Sequence, residues 1–99
     1  MKKRTHVIQT SISQATFATL KAEAGQHKKY STVTKHILDI LMNHTGAVAA
    51  DYTYKSEGAH KVMMCLTESE HNKIMSDFAS SGQETVGEYV RNVLYTHCQ

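Results

Sequence analysis

The chain has 99 residues, 40% of them hydrophobic, with a formal net charge of +2, no proline and two cysteines. That size suits one domain or two small interlocked units, and no apolar run approaches the ~20 residues of a membrane span. Cys65 and Cys98 make neither a metal-ligand spacing nor a disulfide framework, and no apolar signal-peptide core follows the basic start, so a soluble protein of the reducing cytoplasm is expected.

In chain order, residues 1–5 form a basic arm carrying Lys2, Lys3 and Arg4. Val7-Ile8-Gln9-Thr10-Ser11-Ile12 then alternates between positions suited to a core and positions suited to an outer face, the period of a strand. Ser13 can cap a helix that begins at once. The spacing of Phe17, Leu20 and Ala24 predicts a helix over residues 14–26, with small alanines allowing close approach. Gly25 and the polar run up to Ser31 close it and make a turn. Ser31 or Thr32 then caps a second helix whose buried stripe is Val33, Ile37, Ile40 and Leu41, ending over residues 43–46.

Residues 47–58 read as a linker. Stretched out, its roughly 12 residues reach about 40 Å, well beyond the ~13 Å gyration radius of a domain this size. It is long enough to return the chain to the first strand. Lys61-Val62-Met63-Met64-Cys65-Leu66 then repeats the strand pattern 54 positions on (66 − 12 = 54). Thr67-Glu68-Ser69-Glu70 is a capping box opening a third helix with Ile74 and Phe78 on its apolar stripe. Residues 80–83 make the turn, and Thr85-Val86-Gly87-Glu88 is a second capping box. In the last helix Val86, Tyr89, Val90, Val93 and Leu94 share a face, and the offset is 53 (85 − 32 = 53), one residue having been lost in the turn. A lone repeat of about 40 residues is too small to bury a stable core. Either the two copies share one core, or each pairs with a copy from another chain; the linker length favours the first, with the two strands paired antiparallel. Ile12, Leu20, Ile37, Ile40 and Leu41 should then pack with Leu66, Ile74, Phe78, Val90, Val93 and Leu94.

Strand, helix, polar turn and hydroxyl-capped helix, twice, resembles the ribbon-helix-helix (MetJ/Arc-type) family of DNA-binding proteins. Leu66-Thr67-Glu68 and residues 82–91 carry the resemblance best. The tandem layout is similar to TraY-type conjugation proteins. The resemblance implies a mainly α fold with a short β ribbon: two βαα repeats interlocked as an intramolecular pseudo-dimer. The first repeat with its arm spans residues 1–46, the linker 47–58 and the second repeat 59–99. It further implies that the ribbon enters the DNA major groove. Carried onto this chain, Val7, Gln9 and Ser11, with Lys61, Met63 and Cys65 as counterparts, would face base edges. The second helix of each repeat would aim its N-terminus at a phosphate. Those phosphate contacts would fall at Lys28, Lys29, Tyr30, Ser31 and Thr32 in one repeat and at Thr85 in the other, with Lys2, Lys3 and Arg4 holding flanking phosphates. Met63 and Cys65 depart from the family's polar readers, and Glu84 would repel a phosphate.

The charge balance separates the two halves. Residues 1–44 carry seven Lys or Arg against two acidic residues, +5, and residues 45–99 carry four against seven, −3. The first half suits a polyanion; the second suits a protein partner. Two function classes follow. One is a sequence-specific double-stranded DNA-binding protein, a small prokaryotic repressor or a plasmid or phage regulatory protein of relaxosome-accessory type. Two such pseudo-dimers could pair further as a homodimer. The other is a protein-interaction module, an inhibitor or antitoxin, using the acidic second repeat. A solvated strand face is the plain alternative for Gln9 and Ser11, but a lone two-stranded ribbon with one wet face is only marginally stable, which favours a partner there. No membrane contact, cofactor or metal is expected. The seven histidines form no His-Glu-x-x-His or Cys/His cluster in sequence, and His71, standing where the first repeat has Phe17, suits a core position. No phosphate loop, nucleophile elbow or paired carboxylates point to an enzyme.

Overall fold

The alternation in the two strand segments sorts the ribbon into a buried and an outward row. The computed structural model describes residues 5–26, 33–44, 48–50, 54–55 and 57–98. Its elements run β1 (His6–Ile12), α1 (Gln14–Gln26), α2 (Val33–Asn43), β2 (His60–Leu66), α3 (Glu68–Ser81) and α4 (Val86–His97). The fold is mainly helical, with one two-stranded antiparallel sheet formed by β1 and β2 of the same chain. Each strand begins one residue before its expected start. Helix α3 also runs further than expected, through Ser80 and Ser81, and stops at Gly82, whose φ of 78° is a left-handed conformation that other residues adopt at a cost.

The ribbon register places Ile8 opposite Met64, Thr10 opposite Val62 and Gln9 opposite Met63. Gln9 therefore faces the residue 54 positions further on (63 − 9 = 54), the same separation as the sequence echo. Other contacts come in pairs related by the same offset. His6 stacks on His71 with ring centroids 4.4 Å apart, and His60 stacks on Phe17 at 3.5 Å. Adding 54 to His6 and to Phe17 gives His60 and His71, so the start of each strand meets the helix that follows the other strand. The caps match too. Ser13 Oγ accepts from Thr16 N at 3.3 Å, and Thr67 Oγ1 accepts from Glu70 N at 3.3 Å. At Thr67 the box is complete, because Glu70 Oε1 accepts from Thr67 N at 2.9 Å. At Thr85 the hydroxyl half forms, accepting from Glu88 N at 3.1 Å.

One core lies beneath the ribbon and draws on every element. Ile8 and Ile12 from β1, and Val62, Met64 and Leu66 from β2, meet Leu20, Ile37, Ile40, Leu41, Ile74, Val90, Val93 and Leu94. Of the expected core, all are buried except Val33 at the start of α2 and Phe78 beside Tyr89, which pack half-buried against the cluster. In α1 the fully buried stripe is Thr16, Leu20 and Ala24, with Phe17 displaced to the edge by its stacking on His60. Full burial of each large aliphatic side chain contributes roughly 1.5–3 kcal/mol against ordering costs. No helix among the described residues is long and apolar enough to cross a membrane.

Candidate functional site

The outward row of the ribbon is the surface the core does not use. Val7 is 51% exposed and Met63 58%, high values for side chains of their type. Gln9, Lys61 and Cys65 are exposed beside them, and Ser11 is half-buried. Gln9 Nε2 donates to Met63 Sδ across the strands at 3.6 Å. A thioether is a weak acceptor, so this contact holds the amide only loosely.

Helix α4 is laid against β1 beside that row. Thr10 Oγ1 donates to Gly87 O at 2.7 Å, and Arg91 Nε donates to the Ser11 carbonyl at 2.8 Å. The absence of a side chain at position 87 permits the approach. A Cβ there would stand 3.3 Å from Thr10 Oγ1 and 3.4 Å from the Gln9 carbonyl. The ribbon and the start of α4 together wall an open groove of about 440 Å³ containing Gln9, Ser11, Lys61, Met63, Thr85 and Arg91. Five of its ten lining residues, Gln9, Ser11, Lys61, Met63 and Thr85, are expected DNA contacts. Val7 lies further along the ribbon, opposite Cys65.

The groove has mixed charge, with Lys61 and Arg91 against Glu88 on its wall. The Arg91 guanidinium is engaged on two sides, since it also lies 3.7 Å from the Tyr54 ring centroid. Arg91, Gly87 and Glu88 were part of the motif that suggested the fold but not of the expected contact set. A glycine inside the helical stripe at position 87 costs about 1 kcal/mol against alanine, and the close packing on β1 gives the reason for it. Arg91 carried no local signal, because its partner is a backbone carbonyl 80 positions away.

Comparison of the chain with family models, with curated proteins and with solved structures gives no match. Of the expected phosphate contacts, Lys2, Lys3, Arg4, Lys28, Lys29, Tyr30, Ser31 and Thr32 lie outside the described residues. Thr85 lies within them, at the N-terminus of α4, with its hydroxyl accepting from Glu88 N.

A second polar cluster stands among the helices. Glu23 Oε1 of α1 accepts from His36 Nε2 of α2 and from His97 Nε2 of α4, both at 2.9 Å. His36 is buried, with 8% of its side chain exposed, and Glu23 and His97 are each 34% exposed at the rim. Burial would raise the Glu23 pKa, but hydrogen bonds and positive charge from the two histidines outweigh it and hold the carboxyl below its ordinary range. Next along the chain, burial and the nearby Glu23 charge push the Cys98 thiol up to about 11. The three clustered residues are 13 and 61 positions apart (36 − 23 and 97 − 36), which is why no local motif announced them.

Proposed function

We propose that the chain is a sequence-specific double-stranded DNA-binding protein, built as two interlocked ribbon-helix-helix repeats, that reads the major groove with the β1–β2 ribbon. The observation that carries this reading is the pairing of Gln9 with Met63 at the middle of an outward ribbon face. The repeat assignment is supported by one offset of 54, which maps the ribbon register onto itself, the His6–His71 stack onto the His60–Phe17 stack, and the Ser13 cap onto the Thr67 cap. A seven-residue ribbon is about 23 Å long at ~3.3 Å per residue, and the ~12 Å width of the major groove admits a two-stranded ribbon.

In this reading Gln9 is the main discriminator. Its amide bonds adenine through two contacts, Lys61 reaches guanine, and Ser11 is permissive. Met63, Val7 and Cys65 supply apolar contact. The unlike halves favour an asymmetric site over a palindrome. The amides at the start of α4 near Thr85 approach one phosphate. The basic arm and Lys28 and Lys29 give the first half most of the electrostatic attraction. The chain then acts in the cytoplasm as a repressor or as an accessory protein on a plasmid or phage.

The test is selection of bound DNA from random duplexes, with the mass of the complex measured in the same buffer. A recovered consensus is expected, with log affinity falling against log salt at a slope of about −4 to −5 for five phosphate contacts. A salt-independent complex, or no enriched sequence, removes the reading.

A protein-interaction role is the second reading, and one observation favours it. The apolar side chains of Val7 and Met63 are more than half exposed on the outward ribbon row, and the acidic Glu88 lines the same groove as Met63. A stoichiometric protein partner, with no shift of any duplex, supports that role.

A further inference from the structure

We propose that Glu23, His36 and His97 form a binding site for a divalent transition-metal ion of the zinc, cobalt or nickel type, which clamps α1, α2 and α4 together. The site is independent of the DNA-facing groove. It lies at the C-terminal end of α4, whose N-terminal end meets the ribbon. A helix of that length separates its ends by about 18 Å.

Three observations carry it. First, the donor set is two imidazoles and one carboxylate, which suits a borderline metal and poorly suits calcium or magnesium. Their ligand atoms all lie within 4.8 Å of one another. Second, both Nε2 atoms already point at the same carboxylate oxygen, each 2.9 Å from Glu23 Oε1. Metal bonds of about 2.0–2.2 Å in tetrahedral array set ligand atoms about 3.3 Å apart. These two distances need to open by a few tenths of an ångström, and the separation of the two histidine ligand atoms, which lies within 4.8 Å, must close to the same spacing, a movement open to the rim side chains of Glu23 and His97. Third, burial is graded, with His36 inside and Glu23 and His97 at the rim. The ion has a way in, and water takes the remaining position, as in three-ligand zinc sites.

Binding exchanges bonds in a balanced way. Each Nε2 gives up to solvent the proton it donates to Glu23 Oε1, a neutral ring taking one back at Nδ1, and so presents its lone pair to the metal. The two N–H···O bonds to Glu23 Oε1 are replaced by two metal–nitrogen bonds and one metal–oxygen bond. No oxidation or group transfer is involved. Each ligand comes from a different helix, so the ion binds the folded chain in preference to the unfolded one and stabilises it by that difference.

The test uses the full chain, stripped with a chelator and titrated with Zn²⁺ and with Co²⁺. One ion per chain is expected. A cobalt visible spectrum of a four-coordinate site should appear, and the Nε2 resonances of His36 and His97 should shift on adding zinc. The rim variants His97→Ala and Glu23→Ala leave the core untouched and should each weaken binding by at least ~10-fold, the smallest loss typical even of residues that only support metal ligands. His6→Gln, outside the cluster, should bind as the parent does. The proposal is overturned if no saturable binding appears, or if both rim variants bind as tightly as the parent. Either result leaves the three residues as a hydrogen-bonded brace.

Discussion

The two halves of the ribbon meet their helices in different ways. Position 10 of β1 is threonine, and its hydroxyl donates to Gly87 in α4. Fifty-four positions on, the corresponding residue of β2 is Met64, 1% exposed and filling core volume. By the offset of 53 in the second helices, Gly87 corresponds to Thr34 of α2 (87 − 53 = 34), which is exposed. One half uses a hydroxyl and a missing side chain to bring a helix start close to the strand. The other uses a thioether to hold its strand over the core. The same apolar pattern thus supports two kinds of contact, and on the α4 side ribbon and helix start join in a groove. Matching apolar pattern in two segments does not fix matching polar contacts.

Where the halves are alike, they should fail alike. Leu41 and Leu94 are separated by 53 and are 1% and 0% exposed. Leu41→Ala and Leu94→Ala should each lower stability by about 2–5 kcal/mol, the range for emptying a buried leucine site. Denaturant unfolding should stay a single transition in both, because one core serves both halves. A variant that melts one half and spares the other would break the comparison.

Where the halves differ, matched substitutions should diverge. Gly87→Ala gains helix propensity but forces a methyl toward Thr10 Oγ1 and a backbone carbonyl. Both must give by a few tenths of an ångström, which stretches the Thr10–Gly87 hydrogen bond and outweighs the gain of about 1 kcal/mol in helix propensity, so a net loss of roughly 1 kcal/mol is expected. Thr34→Ala, on an exposed helix face, should stay within about 0.5 kcal/mol of the parent. Equal effects in thermal melts would mean that α4 does not dock more closely than α2.

The brace among the helices should give a pH signature. A carboxyl held below its ordinary pKa binds fewer protons folded than unfolded in the acid range. Glu23 therefore contributes stability above its ordinary value of 4.5, and that contribution is lost as pH falls through the folded value. Glu23→Gln should be less stable than the parent at neutral pH, with the gap closing in acid. A gap that is constant with pH would show that the histidine pairing carries no linkage.

The smallest effect separates the two cysteines. Cys65 is exposed on the ribbon, and Cys98 is half-buried with its thiol pushed up to about 11. Because the thiolate is the nucleophile, iodoacetamide at mildly alkaline pH should modify Cys65 well before Cys98. Equal rates followed by mass spectrometry would mean that the end of α4 opens readily.

Local pattern was enough to read the elements, because strand and helix periods and hydroxyl caps are written in neighbouring residues. Ile8, Ile12, Val62 and Leu66 announced the buried ribbon face by alternation alone, and the Thr67–Glu70 box marked the start of α3 to the residue. The length of residues 47–58 made strand pairing within one chain reasonable. Helix ends were less legible. Ser80 and Ser81 read as a turn, yet they continue α3 until Gly82 supplies the left-handed stop. Long-range polar geometry was not legible at all. The Arg91–Ser11 bond spans 80 positions, and the His97–Glu23 bond spans 74. Nothing near any of those residues distinguishes them from surface polar groups. Of the candidate site, the outward row was readable from strand period, but its wall at Gly87, Glu88 and Arg91 depended on which helix docks there.

Base reading by the ribbon is the central claim, and paired variants test it most directly. A selected duplex and its single-base variants are titrated with the parent, Gln9→Ala and Met63→Ala at fixed salt. If the ribbon reads the major groove, Gln9→Ala loses about 1–3 kcal/mol of discrimination at one base pair, and Met63→Ala changes all sequences nearly alike. Equal losses from both variants, or no base-specific loss from Gln9→Ala, would contradict it.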